Sequence, residues 1–575
     1  MISADGRFVL AMNGEIYNHP IIRAELENHG QGLKGSSDTE VLLEGISKWG
    51  LESTLQRAIG MFAFALVDVR ERKLFLVRDR LGEKPLYYGW SRNHFFFGSE
   101  LKAFRPHPDF VPEVDRGALA LFLRHGYLPS PHCILSGFHK LLPGHILTLP
   151  LDGSAAPGTE RLKKYWAVPC PSEPLGFSGS AEDCVAGLEE LLESAVRMQM
   201  LADVPVGAFL SGGIDSSTVV SLMQQMATRP IKTFNLGFPD ARLDESEHAG
   251  RVAAHLGTDH TTWQCTDSEL LELVKQLPNA YSEPFADDSQ LPTLALARMA
   301  RKQVTVSLSG DGGDELFLGY GRYVRTLRRW GEIQRHPHLG TGLRCGINSL
   351  SSLLWLLPPS RAKKKYLSKL KRARNQWLPE HLPAYYGHRM SLNKNAGRYL
   401  MQAEAPPDFF EMEGPIPSDA NGLSWLSYLD LNTYLPDDLL TKVDRAAMAF
   451  SLETRMPFLD HRIVEYAARL PDNLKRRDEK PKWPLRQILN RRVPVALTER
   501  RKLGLSTPMG RWLRGPLRDW AEAQLSEKRL KDEGFFDAVE LRQLWNQHQS
   551  GKRDRGQILW SFLMYQAWYE TFSSD

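Results

Sequence analysis

Residues 7–12 read as a strand, and Asn13-Gly14 follows at once. Helical spacing runs through residues 21–26 and again through 39–49. Four short β-like runs come next, at 61–67, 73–78, 85–90 and 94–98, separated by short turns as in antiparallel sheet. Together they predict one α+β domain over residues 1–150. Residues 151–181 are rich in Gly, Ser, Pro and Ala, lack a sustained period, and are expected to form a linker.

The pattern then changes class. A helix is expected over 182–201, and 204–210 is a continuous apolar run. It leads into Ser211-Gly212-Gly213-Ile214-Asp215-Ser216-Ser217 and a helix through Met226. A strand at 231–238, a helix at 246–256, a strand near His260, a helix at 290–302 and an apolar run at 304–308 follow. Apolar strands alternating with helices predict a parallel sheet covered on both faces. Beyond Tyr320 the pattern is mostly helical, and the basic stretch at 361–374 reads as a solvated helix face. Residues 182–575 are therefore expected to form a second, α/β domain with a helical C-terminal part.

At 575 residues the chain exceeds one ordinary core, and 42% hydrophobic with 24% charged residues is a globular composition. A net charge of +4 argues against a dedicated nucleic-acid binder, which needs a concentrated basic stripe. The five cysteines are widely spaced, with no Cys-x-x-Cys, so neither a zinc ribbon nor a disulfide framework is indicated. That usage fits a reducing cytoplasm. No apolar stretch approaches the roughly 20 residues that span a bilayer, so no membrane association is expected.

The chemistry concentrates in two loops. In Ser211–Ser217 two glycines let backbone N–H groups approach an anion, and the following helix adds its positive end. Asp215 would repel a bare phosphate, so it makes sense as a ligand for a divalent cation bridging phosphate oxygens. The loop lacks the Gly-Lys-Ser/Thr of a Walker motif and resembles the pyrophosphate loop of N-type ATP pyrophosphatases. A second loop, Ser309-Gly310-Asp311-Gly312-Gly313-Asp314-Glu315, also follows a strand. Both would lie at the carboxyl ends of parallel strands, where ligands bind.

Five segments carry a wider resemblance: NGEIYN at 13–18, RDRLGEKPLYY at 78–88, EPFAD at 283–287, the stretch 308–320, and DLLTKVDRAAMAFSLETRMPFLD at 438–460. They are similar to glutamine-dependent asparagine synthetases over nearly the whole chain, most weakly over 326–423. The resemblance implies an N-terminal-nucleophile hydrolase sandwich joined to an ATP-pyrophosphatase domain. It also implies a reaction: ATP and Mg²⁺ activate aspartate as β-aspartyl-AMP, and ammonia from glutamine attacks it. Asp215 and Asp314 match magnesium ligands. Ser211, Gly212, Gly213, Ser216 and Ser217 match the pyrophosphate loop, and Leu236, Ser309 and Gly310 match adenosine-holding positions. Asp311 matches an acidic residue of adenylation and amine attack, with Tyr320 as its expected partner. Lys482 matches a catalytic lysine stabilising charge on the transferring phosphorus. Arg445 and Arg455 stay open between substrate and structural roles.

In the N-terminal half, Asn13 and Gly14 match an oxyanion hole, Glu15 a substrate contact and Asp38 the aspartate that binds the glutamine α-amino group. Without its neighbours, Asn13-Gly14 reads as a hairpin turn, and Asp38 also reads as a helix N-cap. The family's nucleophile is a cysteine at the mature first residue, whereas no cysteine precedes Cys133 here. Either the reading frame was begun at an internal methionine or the gene is shortened. The first is favoured, because a shortened domain would expose sheet edges. In both cases the glutaminase half of these 575 residues is expected to be inactive. Relatives of this layout also amidate sugar acids, β-lactam precursors or peptides, so the carboxylate acceptor stays open, as does a non-catalytic nucleotide-binding role. The expected partners are small molecules, with a homodimer left open.

Overall fold

The structure, a computed structural model, describes residues 1–30, 32–171, 176–238, 244–335, 370, 381–413, 422–499 and 507–573. The basic stretch at 361–374 lies, apart from Leu370, outside the described residues.

The N-terminal half is built on β1 (Phe8–Ile16), β2 (Gly60–Asp68), β3 (Lys73–Arg78), β4 (Tyr87–Ser91), β5 (His94–Gly98), β6 (Phe138–Lys140), β7 (His145–Pro150) and β8 (Arg161–Lys164). Five of them form an antiparallel sheet, β1-β2-β3-β7-β8, and three form a second, β5-β4-β6. Period-two alternation gives the larger sheet two apolar faces. Phe62, Phe64 and Leu66 pack with Ile22, Leu26, Val41, Leu42 and Ile46 of the helices His19–Asn28 and Asp38–Trp49. On the other face Ala63, Ala65, Leu74, Leu76 and Leu147 meet Leu86, Tyr88 and Leu141 around the smaller sheet.

Three features differ from the sequence reading. First, β1 does not stop at residue 12: Asn13 pairs with Ala63 and Gly14 with Phe62, so the dipeptide lies inside the sheet and is no hairpin turn. At φ +147°, a Cβ on Gly14 would stand 2.1 Å from the Met61 carbonyl oxygen, so only glycine fits. Second, β8 lies in the stretch expected to be linker and pairs with β7 as an edge strand. Third, the helix beginning at Asp38 is capped by Ser37, whose side chain accepts the Thr39 amide, so Asp38 is not the N-cap.

The second half carries a parallel sheet of β9 (Val206–Phe209), β10 (Lys232–Gly237), β11 (Asp259–Gln264), β12 (Val306–Leu308) and β13 (Glu453–Arg455). Its order is β11-β10-β9-β12-β13, every pair parallel. The chain leaves β9 for β10 on one side and returns to β12 on the other. The order therefore reverses between β9 and β12, where an open α/β sheet offers a crevice at its carboxyl edge. Helical segments complete this half. The last, Gly556–Ser573, buries Leu559, Trp560, Phe562 and Leu563 as a central rod.

The halves share a core. Tyr87, Phe96 and Phe138 of the smaller sheet join one apolar cluster with Leu236, Phe285 and Trp568 of the second half. Buried polar contacts cross the same boundary: Lys84 to Asp444 at 3.0 Å, Lys140 to Glu283 at 3.0 Å, and Tyr87 Oη to Glu283 at 2.9 Å. Such pairs add little net stability but fix orientation, because a shifted interface would strand a buried charge. Among the described residues no helix is long and apolar enough to cross a membrane.

Candidate active site

The loop after β9 and the loop after β12 meet at the switch point. Gly310 lies so close to the first loop that a Cβ there would stand 2.7 Å from the Ser216 amide nitrogen and 2.9 Å from the Asp215 carbonyl carbon. At Gly313 it would stand 2.6 Å from Asp215 Oδ1. The glycines thus serve loop-to-loop contact as well as backbone access to an anion.

The first loop leads into the helix Ile214–Met226, whose N-terminus at Gly213 has no side-chain cap. Its amide groups and positive dipole end are therefore left for a ligand. Gly212 sits at φ +73°, and a Cβ on it would press within 3.0 Å of the Ala249 backbone. The hydroxyls of Ser211 and Ser216 are 3.0 Å apart, and Ser216 Oγ accepts the Ser211 amide at 3.2 Å. Ser217 is fully buried, and among the described residues its hydroxyl finds no hydrogen-bond partner. Leu236 is buried on β10, two strands from β12, so its side chain belongs to the core and leaves the backbone for any ligand contact.

Asp215 and Asp314 converge from the two loops on one point. Lys482 occupies that point, its Nζ 2.5 Å from Asp215 Oδ2 and 2.7 Å from Asp314 Oδ1. Lys482 has φ +58°, and its amide donates to the Phe317 carbonyl at 3.0 Å. Gly319 makes room for this trio: a Cβ there would fall 2.0 Å from Asp314 Oδ1 and 2.2 Å from Lys482 Cε.

Asp311 accepts from Ser309 Oγ at 2.7 Å. Tyr320 was expected to pair with Asp311, but its hydroxyl donates to Glu315 Oε1 at 2.6 Å. Burial, with Asp314 beside it, pushes the Glu315 carboxyl up to about 7 against the opposing Tyr320 hydrogen bond. The Arg322 guanidinium lies 3.5 Å over the Tyr320 ring and is held by Asp430 at 2.5 Å. The side of the Tyr320 ring that faces Arg322 is therefore fixed by a cation–π contact.

The sequence reading assigned no role to a second cluster. Lys442 Nζ bonds Asp287 at 2.9 Å and Ser289 Oγ at 2.7 Å. Burial alone would raise the Asp287 carboxyl, yet Lys442 holds it at about 2. Burial and the charge of Asp287 drive neighbouring Asp438 well above the usual range. Burial works against the Lys442 ammonium, but the charges of Asp287, Asp438 and Asp311 hold it raised. The cluster's sequence signal was there, since Asp287, Asp438 and Lys442 all fall within segments that carry the resemblance.

In the N-terminal half, Asp38 Oδ2 accepts the Ile16 amide at 2.9 Å and thus closes on the end of β1 beside Glu15. Burial, with repulsion from Asp38, raises the Glu15 carboxyl to about 7, and Arg455 opposes the shift. Asn13 Nδ2 donates to Ser99 Oγ at 3.0 Å, and the Ser99 carbonyl accepts from Arg445 of the second half. Arg445 and Arg455 both cross the domain boundary: Arg445 lies 3.5 Å from Glu100, and Arg455 3.5 Å from Glu15. Cys133 is buried, and burial followed by the charge of Glu283 pushes its thiol far up, so it stays protonated.

Comparison with known proteins accounts for this pairing of sites. Residues 187–570 match the family described as asparagine synthase, and residues 1–166 match the glutamine amidotransferase domain. The chain belongs to the asparagine synthase family. It is 29% identical over 569 residues to the glutamine-hydrolysing asparagine synthetase 1 of Bacillus subtilis (strain 168), covering 98% of this chain and 86% of that protein. It is 32% identical over 579 residues to a putative glutamine-hydrolysing asparagine synthetase of Mycobacterium tuberculosis (strain ATCC 25618 / H37Rv), covering 99% and 85%. The amidotransferase match ends just past β8, and the asparagine synthase match takes in both loops, Lys442 and Lys482.

Proposed function

We propose that this asparagine synthase family member amidates the side-chain carboxylate of aspartate at the expense of ATP. A carboxylate oxygen attacks the α-phosphorus, the bond to the β-phosphate oxygen breaks, and pyrophosphate leaves. Ammonia then adds to the acyl carbon, loses a proton, and expels AMP. The observation that carries this reading is the convergence of Asp215 and Asp314, from two glycine-bearing loops at the switch point, on the Lys482 ammonium.

That convergence also supports Mg²⁺. Two hard carboxylates already share one cation, and a pair of them suits an ion that keeps waters and takes further oxygens from phosphates. Asp215 and Asp314 would hold it, and when bound it supplies charge neutralisation across phosphate oxygens. The chain's own groups do the rest. The uncapped helix at Gly213 and the partnerless Ser217 hydroxyl offer donors to pyrophosphate oxygens. Lys482, 2.5 Å from Asp215, is the cation that would offset charge developing on the transferring phosphorus. Asp311, held by the Ser309 hydroxyl, is the acidic residue assigned to adenylation and amine attack. Asn13, Gly14, Glu15 and Asp38 form the glutamine-facing site in the N-terminal half.

The test is exchange of labelled pyrophosphate into ATP with purified protein, Mg²⁺ and a panel of carboxylates. Aspartate-dependent exchange with AMP as the nucleotide product supports the reading. Exchange that answers to another carboxylate removes aspartate and keeps adenylation. ADP and phosphate as products remove both.

A further inference from the structure

Away from both sites, a cavity of about 460 Å³ lies between residues 392–399, the helix Ala538–Gln549, and the amino end of the helix Gly556–Ser573. We propose that it is a binding site for a small polyvalent oxyanion, a phosphate- or polycarboxylate-bearing metabolite.

Charge is the first support. Lys394, Arg398, Arg553 and Arg555 line the cavity against one carboxylate, Glu540. That carboxylate is already taken, since Arg398 Nε donates to it at 2.6 Å. Side-chain chemistry is the second. The cationic lining is mostly guanidinium, and forked guanidinium groups suit carboxylate or phosphate. The walls are also fixed. The Asn393 amide donates to the Arg124 carbonyl at 3.1 Å, and Leu400 pairs with Phe536 beside the Asp537-to-Tyr399 hydrogen bond of 2.8 Å. The volume suits a metabolite.

The site also connects to the Lys442 cluster through one short path. Gln557, in the first turn of the helix that opens the cavity, donates to Asp288 at 3.0 Å, next to Asp287 on Lys442.

The experiment is calorimetric titration of the full chain with citrate and, separately, inorganic phosphate, repeated on K394Q/R553Q. Both substituted residues are exposed, so the variant keeps the fold, and its pyrophosphate exchange without added anion should equal that of the parent. Binding of either probe should weaken at least about tenfold in the variant, because charge-assisted contacts are lost. Citrate alone would assign a polycarboxylate, phosphate alone a phosphate ester, and both the shared oxyanion chemistry. Absence of binding by both probes, or binding unchanged in K394Q/R553Q, overturns the proposal; the latter places the anion elsewhere, such as the loop at Ser211–Ser217.

Discussion

Arg455 faces Glu15 across the domain boundary with its guanidinium 3.5 Å from the carboxylate, while its own carbonyl accepts the Ser309 amide at 2.9 Å. One residue thus touches the end of β1 and the first residue of the loop after β12. The guanidinium also donates to the carbonyls of Gln199 at 2.9 Å and Leu201 at 2.7 Å, and to Glu453 at 2.7 Å. Replacing it with Met strands two carboxylates and two carbonyls at a buried position. Arg455→Met is therefore expected to cost about 3–5 kcal/mol in urea unfolding. Arg455→Lys should recover part of this, since one ammonium cannot serve all four acceptors. A Met variant as stable as the parent would contradict the bridging role.

Asp215→Asn and Asp314→Asn are each expected to lower pyrophosphate exchange about a hundredfold or more. Each leaves Lys482 with one carboxylate, so the unfolding free energy in urea should change by no more than ~1 kcal/mol. Exchange at the parental rate in either variant would remove the carboxylate pair from the chemistry. Lys482→Met should be equally inactive and less stable, since it leaves two facing carboxylates without their cation.

Both loops were legible in the sequence because Gly, Asp and Ser clusters after apolar runs have few physical explanations. Strands β9, β10 and β12 were legible as runs buried on both faces. β8 was not, since Arg161–Lys164 is exposed at every residue and offers no alternation. β13 is three residues long and exists because it pairs with β12 and its Arg455 carbonyl accepts the Ser309 amide, a relation invisible in a local window. Asn13-Gly14 has the composition of a turn, and only the approach of Met61 reveals why a glycine stands mid-strand. The partner of Tyr320 was missed for a like reason. The resemblance paired it with Asp311, and the short helix Gly313–Leu316 carries Glu315, whose carboxylate takes the hydroxyl instead.

Gly310→Ala tests the contact between the loops. Its methyl group would enter 2.7 Å from the Ser216 amide nitrogen, a backbone atom that cannot rotate away. The loops must then separate, at a stability cost of about 1–3 kcal/mol. Exchange should fall further than stability alone explains, through a raised KM for ATP. Gly331→Ala is the control, because nothing lies within 4 Å of its Cβ position. A Gly310→Ala variant with parental KM would show that the loops need not touch.

Glu315 supplies a pH signature. Its carboxyl is raised from 4.5 to about 7 by burial and by Asp314, against the Tyr320 hydrogen bond. A carboxyl raised on folding binds its proton more tightly in the native state. Its contribution is therefore full below the unfolded value of 4.5 and is lost as pH rises through about 7. Glu315→Gln keeps the shape and the Tyr320 contact but cannot ionise. The stability of the parent relative to this variant should therefore decline between pH 5 and pH 8.5, by up to about 3 kcal/mol for a shift of this size. The measurement is urea unfolding of both proteins across that range, with Asp314→Asn as a second background. Removing the Asp314 charge should lower the Glu315 carboxyl and move the decline to lower pH. A stability difference flat in pH would mean that Glu315 is ionised throughout, and that Tyr320 donates to a carboxylate at every pH at which the enzyme works.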